Sequence, residues 1–256
     1  MSSTTWTPAA LSSETRALAG TCWRLVEAQH RVSTLKLVDT PEDQAVLERL
    51  IDETKPPVPP ECRHLDYLLF TPFRYGIYRH GSRFRRPGNT DGVFYASDHP
   101  ETAMAEIGFY RLLFHAESPR TPWPSNAASY TAFAVQYATE RACDLTRPPL
   151  AEHRGLWTDP IDYSHCQSFA DTARESGIEA IRYESVRDPR NRANVALLRC
   201  TAFARRAPVA RQTWWLLVSE FGVRAVRESP PTTIAWECDR FTADPRLADM
   251  NWNRPR

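Results

Sequence analysis

The sequence contains very little lysine. Lys36 and Lys55 are the only two among its 256 residues, and arginine supplies every other basic side chain. A genome biased toward arginine codons explains this more simply than selection for anion contacts at every position. The 32 basic residues are balanced by 31 acidic ones, giving a formal charge of +1. There is therefore no electrostatic argument for direct binding of nucleic acid.

Long apolar runs are also missing from the sequence. No window approaches the ~20 apolar residues of a membrane-spanning helix, so no membrane association is predicted. Residues 1–19 have neither the basic start nor the apolar core of a secretory signal, and a cytoplasmic location is expected. Hydrophobic residues nevertheless make up 42% of the chain, which is enough apolar surface to exclude a wholly disordered protein.

Common metal and nucleotide motifs are absent. The six cysteines form no C-x-x-C pair and have no histidine at ligand spacing, so free thiols are predicted and no zinc site is expected. These cysteines are Cys22, Cys62, Cys143, Cys166, Cys200 and Cys238. The seven histidines lie apart, and no metal is assigned. Neither a G-x-x-x-x-G-K loop nor a G-x-G-x-x-G turn after a strand is present, which excludes the usual phosphate-loop and Rossmann fingerprints.

Helical and strand patterns are mixed without a repeating strand–helix–strand order, which predicts an α+β fold. Thr40-Pro41-Glu42-Asp43 predicts the start of a helix. The apolar face of this helix comprises Val46, Leu47, Leu50 and Ile51. The proline-rich stretch 55–60 should end the helix and continue as an extended connector.

A second helix is predicted over 101–115, opened by a capping box, Asp98-x-x-Glu101. Ala103, Ile107, Tyr110 and Phe114 fall on one face of it. A third helix, over 164–176, should end at Gly177, which suits a left-handed cap. Strands are predicted at 21–26, 93–97, 130–137, 181–186 and 195–198, and in a C-terminal meander at 213–218, 223–227 and 233–237.

These elements predict one domain over residues 20–204 with an insertion at about 36–70, preceded by a loose lead-in over 1–19. Residues 205–256 are expected to form the meander and to pack on the same domain. The apolar segment from Trp214 to Val218 is interpreted as a core strand, with a dimer or partner contact as the alternative.

Glu106 is the most informative single position. It flanks the apolar face of the second helix, where a half-buried carboxylate needs a cation or hydrogen-bond donors. A salt bridge to Arg111 is one way to meet that need, and a role in chemistry is the other.

Five short segments, taken in order, make the functional pattern specific. They are Trp23-Arg24, Gly81-Ser-Arg-Phe84, Gly92-Val-Phe-Tyr95, Ala103-x-x-Glu106 and Tyr183-x-Ser-Val-Arg187. Together they resemble the RES-domain family, over residues 20–203. The resemblance implies a fold similar to ADP-ribosyltransferase toxins and an activity that splits the nicotinamide–ribose bond of NAD⁺. It also implies a protein partner, an antitoxin with an Xre-type helix-turn-helix region.

The resemblance assigns roles residue by residue. Arg24 and Arg83 match the family's arginines and are predicted to bind the diphosphate, because a planar guanidinium contacts phosphate oxygens bidentately. Glu106 matches the family's glutamate and would stabilise the oxocarbenium-like ribose that develops as nicotinamide leaves. These three residues are the predicted catalytic set.

Three further residues are predicted to bind the substrate. Tyr95 would contact the nicotinamide ring, although an ordinary core tyrosine is the alternative. Ser185 would hydrogen-bond the carboxamide or a phosphate, or else cap a turn. Arg187 would join the anion site or form a surface ion pair.

The sequence leaves the acceptor of the ADP-ribosyl group open. Water or inorganic phosphate as acceptor would make the protein an NAD⁺ glycohydrolase or phosphorylase with no separate cofactor. A protein acceptor would make it a mono-ADP-ribosyltransferase. A non-catalytic partner of a helix-turn-helix protein is a third hypothesis, disfavoured because it has no need for all of these residues. A homodimer is also possible.

Overall fold

The computed structural model describes residues 6–27, 37–89 and 91–254. Its main element is an eight-stranded sheet with helices packed against it, so the predicted α+β class is confirmed. The strands are β1 (Arg16–Glu27), β2 (Ile77–Tyr78), β3 (Gly88–Asn89), β4 (Phe94–Ser97), β5 (Ala128–Asp144), β6 (Ala180–Glu184), β7 (Ala193–Leu197), β8 (Ala210–Ser219), β9 (Gly222–Arg227) and β10 (Thr232–Glu237). β2 and β3 form a separate two-stranded ribbon.

The long strand β5 organises the sheet. Residues 128–134 pair with β8, residues 130–142 pair with β1 along the other edge, and residues 142–144 run parallel to β6. Since β1 also pairs with β4, β4 with β7 and β7 with β6, these five strands form a closed cycle. The cycle places β1, β4 and β7 side by side, although their sequence positions are far apart.

The predicted C-terminal meander is confirmed. β8, β9 and β10 continue the same sheet beyond β5 by antiparallel pairing. Trp214 is fully buried, as the core-strand interpretation requires, whereas Trp215 is 39% exposed.

The helices are α1 (Pro8–Ser13), α2 (Pro41–Glu53), α3 (Tyr67–Arg74), α4 (Pro100–Glu117), α5 (Arg154–Trp157), α6 (Ser164–Glu175) and α7 (Pro245–Ala248). The Thr40 cap of α2 is confirmed, because its hydroxyl accepts a hydrogen bond from the Asp43 amide at 3.1 Å. Its apolar face, however, does not reach the core, and Val46 and Leu50 are about half exposed. The predicted end of α6 is also confirmed, since Gly177 adopts a φ of +69°.

Two predictions about α4 are wrong. His99 rather than Asp98 is the N-cap residue of α4 and makes no side-chain cap. Asp98 instead accepts hydrogen bonds from the Arg182 guanidinium of β6, at 2.8 and 3.1 Å. The predicted apolar face is partly solvent-exposed, at Tyr110 and Phe114, because the sheet covers a different side of the helix, which includes the fully buried Phe109.

The N-terminal segment is more ordered than the predicted loose lead-in. Within residues 6–19, Pro8–Ser13 forms α1 and β1 begins at Arg16. Leu11 is fully buried in the same apolar cluster as Phe84 and Phe169. The boundaries of the predicted domain and of its insertion stay predictions.

The prediction of six free thiols is wrong for one pair. Cys62 and Cys200 form a disulfide, with their Cα atoms 5.7 Å apart. The pair joins the short 3₁₀ turns Pro60–Cys62 and Cys200–Ala202, which are 138 residues apart in sequence, so sequence spacing gave no sign of it. The other four cysteines are free.

Two negative findings concern the part of the chain that the structure describes. Among those residues there is no helix with the length and apolar character needed to cross a membrane. They also contain no cluster of three or more potential metal ligands.

Candidate active site

A pocket of about 770 Å³ lies where β1, β4 and β7 face α3 and α4. Its size falls within the range of small-molecule and cofactor sites. The described residues that line it include four arginines, Arg24, Arg83, Arg85 and Arg187, and six tyrosines, Tyr75, Tyr78, Tyr95, Tyr110, Tyr163 and Tyr183. Glu106 is the only carboxylate among them. The pocket is therefore cationic and aromatic, with one negative charge.

Glu106 is held in this pocket by two neutral donors. Its Oε1 accepts hydrogen bonds from Ser185 Oγ and from Asn194 Nδ2, each at 2.7 Å. The alternative salt bridge is wrong, because Arg111 instead pairs with Glu27 at 2.9 Å and donates to the Tyr130 hydroxyl. No cation of the described chain forms an ion pair with Glu106, so its charge is left for a ligand.

The charge on Glu106 affects the tyrosines around it. Burial, together with the nearby Glu106 carboxylate, raises the pKa of Tyr183 well above its usual value. Tyr110 lines the pocket while half of its surface is exposed, and its pKa is raised first by this partial burial, then by the neighbouring Tyr163 and by Glu106. Both phenols therefore stay protonated at neutral pH.

Ser185 caps a turn, which is one of its two predicted roles, and it also contacts Glu106, which was not predicted. It is fully buried at the end of β6. While Oγ donates to Glu106, it accepts hydrogen bonds from the amides of Arg187 and Asp188, at 3.2 and 3.0 Å. Ser185 thus caps the turn and positions the carboxylate, and it does not itself line the pocket.

Sequence reasoning missed Asn194. Its amide donates to Glu106, and its Oδ1 accepts a hydrogen bond from Ser97 Oγ at 2.6 Å. The register explains the contact, because Ser97 of β4 lies opposite Asn194 of β7. The available signal was a lone amide within the otherwise apolar segment Ala193–Leu197.

Arg24 is the cation with the least compensation in this pocket. Its Nη1 donates to the Tyr95 carbonyl at 3.0 Å, and its guanidinium lies 5.0 Å from the Phe94 ring centroid. Burial lowers the pKa of Arg24 to about 10, which still leaves it charged at neutral pH. It has no carboxylate partner among the residues that the structure describes. An anionic ligand would therefore compensate it.

Arg83 is held more tightly than the prediction implies. It is buried, and it donates to the Trp157 carbonyl at 2.7 Å and to the Asp159 carbonyl at 3.0 Å. Its guanidinium also lies 4.5 Å from the Tyr163 ring centroid. Much of its donor capacity is thus used to fix the segment 157–163 at the pocket wall.

Tyr95 fixes the turn that carries Arg83. Its hydroxyl accepts from the Phe84 amide at 2.9 Å and shares a 2.8 Å hydrogen bond with Ser82 Oγ. The turn itself needs Gly81, whose φ is +66° and whose missing Cβ would meet the Arg85 carbonyl at 2.9 Å. The Tyr95 side chain still lines the pocket.

Arg187 is neither free nor in a surface pair. Its Nη1 forms a buried ion pair with Asp244, and its Nη2 donates to the Pro160 carbonyl at 2.7 Å. The guanidinium lies 3.7 Å from the Phe109 ring centroid. Its charge is thus largely compensated within the protein, unlike that of Arg24.

The protein thus has an α+β fold with a pocket that is lined by arginines, tyrosines and one carboxylate. Such a pocket is suited to a ligand that carries both negative charge and an aromatic ring. The RES domain family model matches residues 58–219, which is more than half of the chain. The chain therefore belongs to the RES domain family. The matched segment contains Arg83, Tyr95, Glu106 and Ser185, whereas Arg24 lies outside it.

No curated protein matches the chain. Among solved structures, the chain is similar to one described as the crystal structure of the M. tuberculosis MbcT–MbcA toxin–antitoxin complex. That similarity has a TM-score of 0.46 and 16% identity, and it covers 81% of this chain and 92% of the other.

Proposed function

We propose that this protein is an NAD⁺-consuming enzyme that cleaves the nicotinamide–ribose bond and acts as the toxin of a toxin–antitoxin pair. The proposal rests on the environment of Glu106. This carboxylate is held by Ser185 and Asn194 in a cationic pocket, and it forms no ion pair with a described residue. Membership of the RES domain family supports it.

The chemistry needs few groups. When the C1′–N1 bond breaks, its electron pair leaves with nicotinamide, which departs neutral and requires no general acid. The ribose then carries oxocarbenium-like charge, which the Glu106 carboxylate stabilises. An acceptor oxygen, from water or inorganic phosphate, bonds to C1′ and releases its proton to the solvent.

The other residues of the pocket support binding of the remainder of NAD⁺. Arg24, which has no carboxylate partner among the described residues, would compensate the diphosphate. Tyr75 and Tyr78 line the pocket and are 39% and 46% exposed, so they would offer ring surface to the adenine. Arg83 supports the site by holding the 157–163 segment.

Product analysis tests the chemistry. Purified protein incubated with NAD⁺ should release free nicotinamide, with ADP-ribose as the second product in phosphate-free buffer. Added phosphate should yield phosphorylated ADP-ribose if the enzyme is a phosphorylase. ADP-ribose bound to a protein in a lysate, without free ADP-ribose, would instead indicate a mono-ADP-ribosyltransferase. No loss of NAD⁺ under any of these conditions would refute the proposal.

Expression in cells tests the toxin role. In the cytoplasm the pocket would meet the cell's own NAD⁺, so the chain expressed alone should lower the NAD⁺ level and stop growth. A helix-turn-helix antitoxin that inserts acidic groups toward Arg24 should restore growth. Unimpaired growth with soluble, folded protein and a normal NAD⁺ level would remove the toxin role.

A further inference from the structure

The C-terminal part of the chain, beyond the segment matched to the RES domain, contacts the pocket wall. The matched segment ends at residue 219. Past it, Phe241, Leu247 and Met250 are buried in the same apolar cluster as Phe109 of α4, the helix that carries Glu106. This packing places Asp244, the N-cap residue of α7, beside the pocket.

Asp244 is a buried carboxylate with two cationic partners. It is 4% exposed. Its Oδ2 pairs with Arg187 Nη1 and with Arg246 Nη2, and its Oδ1 accepts from the Arg246 amide at 2.9 Å and from Arg246 Nε at 3.0 Å. Burial would raise the pKa of Asp244, but hydrogen bonds from Arg246 and the charge on Arg187 hold it below its usual value.

The two arginines that Asp244 pairs with share two further contacts. Arg187 and Arg246 both donate to the Pro160 carbonyl, at 2.7 and 3.0 Å. Both guanidinium groups also lie over the ring of Phe109, at 3.7 and 5.1 Å from its centroid. Two like charges can share one carbonyl and one ring because the Asp244 carboxylate lies between them. Without it, the buried Arg187 and the partly exposed Arg246 would face each other with no carboxylate between them.

A chain of contacts leads from Asp244 to Glu106. Arg187 belongs to a turn that is closed by the Ser185 hydroxyl, which accepts a hydrogen bond from the backbone amide of Arg187. The same hydroxyl donates to Glu106 Oε1 at 2.7 Å. A shift of Arg187 would therefore disturb the hydrogen bond that orients the carboxylate. Similarly, a shift of Pro160 would move the 157–163 segment that Arg83 holds.

We infer that Asp244 is a positioning residue of the active site. It keeps Arg187 in the pocket wall and thereby preserves the hydrogen bond from Ser185 that orients Glu106. The expected effect of Asp244 on catalysis rests on the proposed function. Its expected effect on the structure of the pocket wall is independent of that function. This role differs from a substrate-binding Arg187 that Asp244 merely restrains. In that case, removing the carboxylate would free a cation for the substrate and lower KM.

The test compares Asp244→Asn with Asp249→Asn, an exposed aspartate five residues further along the same segment. Backbone hydrogen exchange, measured by mass spectrometry, reports local opening without depending on activity. In Asp244→Asn, exchange at 159–163 and at 185–188 should rise on the order of tenfold or more, because a buried charge pair is broken. Exchange in Asp249→Asn should match the wild type.

Kinetics complete the test. We expect Asp244→Asn to lower kcat for nicotinamide release on the order of 10-fold to 100-fold, with little change in KM, because Glu106 is displaced while the substrate contacts remain. A lower KM with unchanged kcat would overturn the inference, and so would wild-type exchange in both segments. If the wild type releases no nicotinamide, the proposed function fails, and the exchange measurement alone decides the positioning role.

A second variant covers the case in which Asp244→Asn does not fold. Replacing both members of the pair, Arg187→Met with Asp244→Leu, removes both fully buried charges, and the remaining cation, Arg246, keeps 28% of its side chain exposed. This double variant is therefore expected to fold. It should still exchange faster at 159–163, because Pro160 has lost a donor, and it should still show reduced kcat. Wild-type kcat in this double variant would refute a positioning role for the pair.

Discussion

Glu106 and Ser185 share a 2.7 Å hydrogen bond although 79 residues separate them in sequence. The contact forms where α4 passes the end of β6, and Asn194 of β7 completes it from the neighbouring strand. The carboxylate is thus oriented by two neutral side chains rather than by a cation. This arrangement leaves its charge available to the ligand.

The first prediction removes that charge and keeps the shape. In Glu106→Gln, the side-chain oxygen can still accept from Ser185 and Asn194. We expect nicotinamide release to fall on the order of 100-fold or more, because the developing ribose charge loses its stabilising group. Glu117→Gln, an exposed position on the same helix, is the matched control. A variant at Glu106 within a few-fold of wild type would show that the carboxylate is structural.

The second prediction separates Arg24 from Arg83. Arg24→Lys keeps the charge but loses the planar fork, so kcat/KM for NAD⁺ should fall about 10-fold to 100-fold, as expected for a lost hydrogen bond to a charged group. Arg83→Lys should chiefly lower the free energy of unfolding, by about 1.5–3 kcal/mol, because the bonds to the Trp157 and Asp159 carbonyls are lost. Steady-state kinetics and urea unfolding measure the two effects. Equal behaviour of the two variants would contradict this division of roles.

The third prediction concerns the orientation of the substrate. Nicotinamide mononucleotide retains the scissile bond and lacks the adenylate half. Tyr78→Ala should lower kcat/KM for NAD⁺ about 5-fold to 100-fold, since base stacking on an aromatic side chain contributes about 1–3 kcal/mol. Its turnover of nicotinamide mononucleotide should be unchanged. Phe221→Ala, an exposed aromatic outside the pocket, should affect neither substrate. Equal losses on both substrates would place Tyr78 at the reacting end instead.

The fourth prediction is a pH dependence at Asp244. Its pKa is lowered in the folded protein, so its ionised form stabilises the fold above the unfolded-state pKa of about 4. That contribution is lost as the pH falls through the still lower folded-state pKa. The difference in unfolding free energy between wild type and Asp244→Asn should therefore be constant from about pH 6 to pH 8 and shrink below about pH 4. A difference that grows on acidification would contradict the ion-pair assignment.

The fifth prediction tests the disulfide. Chain-entropy arguments give a stabilisation of up to about 5 kcal/mol for closing a loop of this length. A thiol reductant should therefore lower the melting temperature of the wild type. It should not change the melting temperature of the double variant Cys62→Ala with Cys200→Ala. Cys238→Ala, which removes a free cysteine, should respond to the reductant as the wild type does. An unresponsive wild type would indicate that the two thiols are reduced.

Features that depend on near neighbours in sequence could be predicted. The Thr40 cap needs only Asp43, and the end of α6 needs only a residue that tolerates a positive φ at 177. The predicted strands follow from their side-chain pattern, which alternates along much of β5. The motif residues could likewise be named, because five short segments in order resemble the RES-domain family, although each segment alone is a weak signal.

The partners of those residues could not be predicted, because strand order decides them. Arg111 and Glu106 are close in sequence, yet the packing of α4 turns Arg111 toward Glu27 and Glu106 toward Asn194. Asp98 likewise leaves the expected capping box for a cation on β6.

The sequence by itself therefore determined the α+β class, the main strands, the start of α2, the end of α6 and the motif residues of the candidate site. The tertiary structure alone decided that Cys62 meets Cys200, that Asn194 supports Glu106 and that Asp244 compensates Arg187. The physical reason is the range of the interactions. Backbone conformation and capping depend on residues a few positions apart. The hydrogen bonds and ion pairs of a buried site instead join segments that are distant in sequence. These segments meet only because five strands pair in a closed cycle, β1, β4, β7, β6 and β5, and because the C-terminal segment packs back against α4.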